Sequence, residues 1–429
     1  MSAVVGILNK QAVAIAADSA VTISGANGRK ILNKANKVFT LSKYHPVGVM
    51  IYSSASFMAT PWETIIKIYR KQLGEDSFAT VKEYQENFIN FLRAKQFFTT
   101  PELQIGFLEN LTGMIINSII DDLVSINRKL IDNPTDENKT EFINLLEKKI
   151  DELIGKWENQ ECCDEFTEYS FEDFLAYSAG VFNRLINTRF TPNGFNLSDE
   201  LIIKIKRMVY NILRAKEELT SYTGLIFTGF GEDEIYPRLI PVNISMVIND
   251  RLRYYVNESR TAIISNEIQG AIRPFAQQDV IDTILTGVDP LLGNTYLNNF
   301  GALFDKYNQE ILAIIGNTNP EVTAQIQSLN TQVIVNEYAK MNQQIKTENY
   351  INPLMNAVSS LAKEDLAEMA ESLIYLTYLK RRITFAEESV GGAVDVAIIS
   401  KGDGFLWIKR KHYFRPELNQ HFFDNYFNK

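Results

Sequence analysis

Cysteine is nearly absent from this chain: there are two in 429 residues, Cys162 and Cys163, and they are neighbours. Adjacent cysteines do not readily bridge each other, so no disulfide framework supports the fold and a reducing compartment is expected. The three histidines, His45, His412 and His421, do not pair at metal-ligand spacing, so no metal site is expected. No excess of positive charge exists either, with 43 Lys and Arg against 52 Asp and Glu and a net charge of −9. The densest basic runs, Lys380-Arg381-Arg382 and Lys409-Arg410-Lys411, are short. Phosphate contacts supply most nucleic-acid affinity, so nucleic acid is not an expected partner. No apolar run reaches the roughly 18 residues of a membrane span, and no charged segment followed by a long apolar stretch opens the chain. These absences predict a cytoplasmic chain with no membrane partner and no resident cofactor.

What is present is ordinary globular composition, 45% hydrophobic and 22% charged. The start is rich in strand signals. Residues 3–9 (AVVGILN) and 11–18 (QAVAIAAD) are short, Val- and Ile-rich, and almost contiguous, which predicts a buried hairpin. Residues 19–36, polar with Gly25 and Gly28, are expected to form a loop. KVFTLS (37–42) and VGVMIYSS (47–54) predict two further strands, and Pro61 opens a helix that Gly74 ends. Apolar residues spaced by three and four make 75–220 helical, interrupted by a polar loop at 133–140. Strand signals return at 224–231, 237–248, 251–256 and 261–265. Residues 275–350 are mainly helical and rich in Asn and Gln, an exposed elaboration. A helix over 361–388 precedes a closing hairpin, 393–402 and 404–411, and an aromatic tail. Strand pairs at both ends imply one sheet system assembled from distant segments. The expected parts are 1–74, 222–275 and 355–429 as a sandwich, with 75–221 and 276–354 as helical insertions.

SAVVGILNKQAVAIAADSAVT (2–22) resembles the start of mature proteasome β subunits and of bacterial proteasome-like peptidases. These N-terminal-nucleophile hydrolases have a nucleophile, a strand with Val and Gly, a tight turn, a second strand, then Ala-Ala-Asp-Ser and a nearby Thr. The resemblance implies an α+β fold, a four-layer αββα sandwich of two antiparallel sheets with an inserted helical lobe. It places Ser2 at the nucleophile position, Asp18 at the acidic position and Thr22 where the backbone holds a substrate strand. NKVFTLS (36–42) is similar to the segment carrying the active-site lysine, here Lys37. VGVMIYSSAS (47–56) is similar to the turn that supplies the oxyanion amide, here near Ser53, where the family prefers Gly. FTGFGEDEIYPRLIPV (227–242) is similar to the paired central strands. TAIISNE (261–267) makes Ser265 the candidate active-site serine. EESVGGAVDVAIISKGDGF (387–405) is similar to the closing stretch, with Glu387 at the acidic position. Ser389 is one place away from the expected serine, and Val390 stands beside Gly391.

The chemistry so implied needs no histidine. The α-amine of the terminal residue accepts the hydroxyl proton, directly or through water, and its ordinary pKa of about 7.7–8.0 suits that task. A lysine ammonium beside it lowers both its pKa and that of the hydroxyl. Asp18 is expected to pair with Lys37 and fix it. Met1 must be removed first, and a small second residue such as Ser favours that. The expected function is hydrolysis of amide bonds in a peptide or protein substrate, a protease-like activity, with homo-oligomers also implied by the family. The alternatives are a catalytically inactive proteasome-like scaffold subunit and a small-molecule amidase. Plainer roles exist for the same residues: Asp18 as a turn cap, Lys37 as a surface lysine, Glu387 as a charge at a helix end.

Overall fold

In a computed structural model the chain is a mixed α+β protein with two antiparallel sheets and many helices. The structure describes residues 2–25, 28–94, 99–128, 135–315, 320–328, 330–384, 390–412 and 414–421. The main strands are β1 (Ala3–Asn9), β2 (Val13–Ala17), β3 (Val21–Gly25), β4 (Gly28–Leu32), β5 (Val38–Thr40) and β6 (Val47–Ser53). After a helical stretch come β7 (Thr223–Gly229), β8 (Arg238–Ile248), β9 (Arg251–Val256) and β10 (Gly270–Ala276), and near the end β11 (Asp395–Ser400) and β12 (Gly404–Lys409). The helices are α1 (Trp62–Leu73), α2 (Val81–Ala94), α3 (Pro101–Ile126), α4 (Asp136–Glu158), α5 (Phe171–Arg189), α6 (Asp199–Arg214) and α7 (Asp279–Thr286). Farther on lie α8 (Pro290–Ile315), α9 (Pro320–Gln327), α10 (Thr331–Lys346), α11 (Asn352–Ser360) and α12 (Lys363–Ile383).

One compact unit comprises Met1–Val38, Glu234–Arg238 and Ala262–Lys429. Its sheet has the order β10-β1-β2-β11-β12, so the first and last strands of the chain share it. In register, Val4 faces Ala17, which in turn faces Asp395. Alternate residues of β1 and β2 (Ala3, Val5, Ile7, Ala14, Ala16) join Val396 and Ile398 in a core with Leu366, Ala370, Leu373 and Ile374 of α12. Alanines along β2 let the helix approach closely. The intervening residues, Val4, Leu8, Ile15 and Ile399, are also buried, so both faces of these strands lie out of water. Asn9 ties the β1–β2 turn to the helices: its side-chain Oδ1 accepts from Gln11 N and Ala12 N, and its Nδ2 donates to Val358 O and Leu361 O.

The other compact unit comprises Phe39–Asp233 and Leu239–Thr261. Its sheet follows the order β9-β8-β7-β6-β5. Val49 and Ile51 of β6, Leu225 and Phe227 of β7 and Val242 of β8 belong to one continuous apolar core with Trp62, Tyr69 and Phe88 of α1 and α2 and with residues of α3 to α6. The helical region therefore shares its core with this sheet. By length and composition α3 is apolar enough to cross a membrane, but Leu108, Leu111, Ile116, Ile119 and Leu123 are buried in that core.

Three local expectations need correction. Residues 19–36 hold the paired strands β3 and β4, because Val21-Thr22-Ile23 supplies a strand whose antiparallel partner runs from Gly28 to Leu32. The loop expected at 133–140 gives way to α4 at Asp136, since Thr135 caps the helix by accepting from Asn138 N and two acids occupy the first turn. Strand β10 was not foreseen. Its Pro274 argues against a central strand, and β10 is indeed an edge, the position that tolerates proline.

Candidate functional site

Asp18 follows β2, and its amide makes the last ladder bond, to Ala3 O at 3.1 Å. Its side chain then gathers four donors. Oδ1 accepts from Ala3 N at 2.9 Å and from Lys37 Nζ at 2.6 Å. Oδ2 accepts from Ala20 N and from Gly391 N, each at 3.1 Å. One carboxylate thus joins the start of β1, the end of β2, the approach to β5 and the approach to β11. Neighbouring bonds repeat the same joints: Ser19 N donates to Gly391 O, Ala35 N to Ser19 O, and Ser19 Oγ to Ala393 O. Gly392 is required here on two counts. Its φ is +79°, and a Cβ would meet Asn33 O at 2.8 Å.

Lys37 is 2% exposed and Asp18 1%. Burial pushes the Lys37 ammonium below the ordinary lysine range, while the Asp18 carboxylate and its hydrogen bond pull the other way. Lys37 donates a second bond, to Ala20 O at 2.6 Å. A further ion pair lies close enough to act on it: Asp395 accepts from both the amide and the ammonium of Lys411, and Lys411 lowers the Lys37 pKa while Asp395 raises it. The buried Asp18–Lys37 pair is a poor source of net stability, because desolvation offsets attraction, but breaking it is strongly destabilising.

Ser2 stands one residue before this hub. It is 3% exposed, and its carbonyl accepts from Gln277 N at 3.0 Å. The structure therefore brings Ser2, Asp18 and Lys37 into one neighbourhood. Thr22 lies in β3, its backbone in register with Ile31 of β4. Ser53 ends β6 in the other compact unit with φ +68°, a left-handed conformation that favours glycine. Glu387 and Ser389 lie outside the described residues.

Ser265 lies apart from this neighbourhood. Its hydroxyl accepts from Glu267 N and Ile268 N, both at 3.1 Å, and so caps its own turn. Strand β10 begins five residues later with Gly270 opposite Asn9, the far end of β1 from Ser2. A strand rises about 3.4 Å per residue, so the length of β1 separates Ser265 from the nucleophile position. Gln277, just past β10, takes the place beside Ser2. The signal for it was the unforeseen strand: once GAIRPFA pairs antiparallel with AVVGILN, the residue after it must reach Ser2. The Asp395–Lys411 pair was missed as well, since the two residues meet only when β12 folds back on β11. Among the described residues no group of His, Cys, Asp and Glu is arranged to hold a metal ion.

No family model matches this chain, and no curated protein matches it significantly.

Proposed function

We propose that this chain is an N-terminal-nucleophile hydrolase that cleaves amide bonds of a peptide or protein, with Ser2 as nucleophile once Met1 is removed. The observation that carries the reading is the buried Asp18–Lys37 pair, whose shared oxygen also binds the amide next to Ser2. A lysine held there has one defined place, and its charge acts on whatever amine and hydroxyl begin the chain. In the proposed reaction the Ser2 hydroxyl attacks the substrate carbonyl carbon and its proton passes to the Ser2 α-amine. The C–N bond breaks as that proton reaches the departing amine, leaving an acyl ester on Ser2. Water then attacks the ester and restores both hydroxyl and amine. The ammonium of Lys37 favours the neutral amine and the developing oxyanion alike. The four-layer αββα sandwich belongs to the same proposal, and burial of both faces of β1 and β2 supports it.

One observation favours the non-catalytic scaffold alternative: at 3% exposure Ser2 offers little surface to a substrate. The small-molecule amidase alternative asks for less access, and substrate size separates it from the first reading. Intact mass is the first measurement, and it should show Met1 gone. A peptide epoxyketone, which needs hydroxyl and free amine together to close its ring, should then label Ser2 and fail on Ser2→Ala. No adduct on a chain proven to lack Met1 decides for the scaffold. Labelling should quicken as pH rises through the α-amine range, about 7.7–8.0 or lower beside Lys37.

A further inference from the structure

Helix α8 runs 26 residues without burying one. Two sets stand out among its apolar side chains. Phe300 and Phe304 serve the hairpin with α10, where Phe300 stacks on Tyr338 with ring centroids 4.2 Å apart and Thr331 donates to Asp305. The second set, Leu292, Tyr296, Leu303, Tyr307 and Ile314, is open to solvent, from 44% at Leu292 to 79% at Ile314. Leu292, Leu303 and Ile314 recur every eleven residues, as do Tyr296 and Tyr307. Eleven residues make three turns of about 3.67, close to the natural α-helical 3.6, so these side chains stay in one straight stripe about 33 Å long. Helix α10 adds Ile334, Met341 and Ile345, also exposed and with the outer two eleven apart. Asp305, Lys306 and Glu310 are the charged residues of α8. Contiguous apolar surface of this kind marks an interaction site.

We propose that the stripe is a self-association surface on which α8 of one copy packs antiparallel against α8 of a second copy, around a twofold axis near Leu303. The area fits. Eight large side chains exposed by about half supply about 700 Å², near the roughly 800 Å² per partner of a stable interface. The pattern is also self-complementary. With the axis at Leu303, Leu292 meets the partner's Ile314, and Tyr296 meets the partner's Glu310, a hydroxyl donor against a carboxylate. The surface lies in a segment for which the proteasome-like resemblance offers no counterpart, and it does not depend on Ser2.

Sedimentation of the full chain across micromolar concentrations should show the mass rise from one chain to two. Leu303→Glu sets a charge against its own symmetry mate and should weaken association by about 100-fold or more, with far-UV circular dichroism unchanged. In a Cys162→Ser background, Leu303→Cys should give a disulfide-linked dimer on mild oxidation, a readout independent of how Leu303→Glu folds. A wild-type chain that stays single at every concentration overturns the proposal. So does a Leu303→Glu chain that keeps its dimer, or a Leu303→Cys chain that never cross-links.

Discussion

Lys37 and Arg253 are both buried cations, each 2% exposed, and burial depresses the pKa of each. Their partners differ in kind. Arg253, on β9, meets neutral oxygens: Nε donates to Leu213 O at 2.7 Å, Nη2 to Ala215 O and Glu217 O, and Nη1 to Ser245 Oγ at 3.2 Å. These carbonyls close α6, where the helix dipole leaves partial negative charge, so the guanidinium clasps a helix end to a strand. Lys37 instead meets a full carboxylate, and that carboxylate is held by three backbone amides from three other places in the chain. Burial and a shifted pKa therefore do not by themselves separate a structural cation from a candidate functional one. The separation lies in position: Arg253 satisfies the chain around it, whereas Lys37 stands beside the residue proposed to react.

The sharpest way to break this comparison is to remove each anion or cation in turn. Asp18→Ala leaves the Lys37 ammonium and the Ala3, Ala20 and Gly391 amides without their acceptor. It should cost about 3–5 kcal/mol in denaturant unfolding, the range for breaking a buried ion pair. A loss below about 1 kcal/mol would mean that water replaces the carboxylate and that the hub is not dry.

Arg253→Met should cost less, about 2–3 kcal/mol, because it strands neutral carbonyls. A loss larger than that of Asp18→Ala would reverse the ranking on which the comparison rests.

Asp18→Asn combined with Lys37→Met removes both charges at nearly constant volume. The pair of changes should cost less than the sum of Asp18→Asn and Lys37→Met made singly, a non-additivity measurable in a double-mutant cycle. Activity, if Ser2 is the nucleophile, is lost in the same chain, which separates the stability of the hub from its chemistry.

The smallest effect is on pH dependence. Between the depressed folded pKa of Lys37 and the unfolded lysine value of about 10.4, the unfolded chain binds the extra proton, so stability attributable to Lys37 rises with pH across that window. Wild type should gain on Lys37→Met as pH climbs there. A difference that stays flat would place the Lys37 pKa at its ordinary value.

What the sequence determined by itself is local. The short Val- and Ile-rich runs AVVGILN and VAIAA specify two strands, the three-and-four spacing specifies the helices, and Pro61 and Gly74 bound α1, because composition, periodicity and end signals act within a few residues. The Asp18–Lys37 pair was legible too, through the ordered motifs that resemble a known family, and the two residues stand only 19 apart. Tertiary structure decided the rest. Nothing near Asp18 announces that its fourth donor comes from Gly391, 373 residues away, or that Asp395 and Lys411 stand beside the same lysine. The separation of Ser265 from Ser2 was hidden for the same reason. Its motif carried no register, and only the antiparallel pairing of β10 with β1 shows that Gln277, not Ser265, reaches Ser2. Register between distant strands is set by which faces bury together after the intervening chain has closed, and a shift of one residue would invert them.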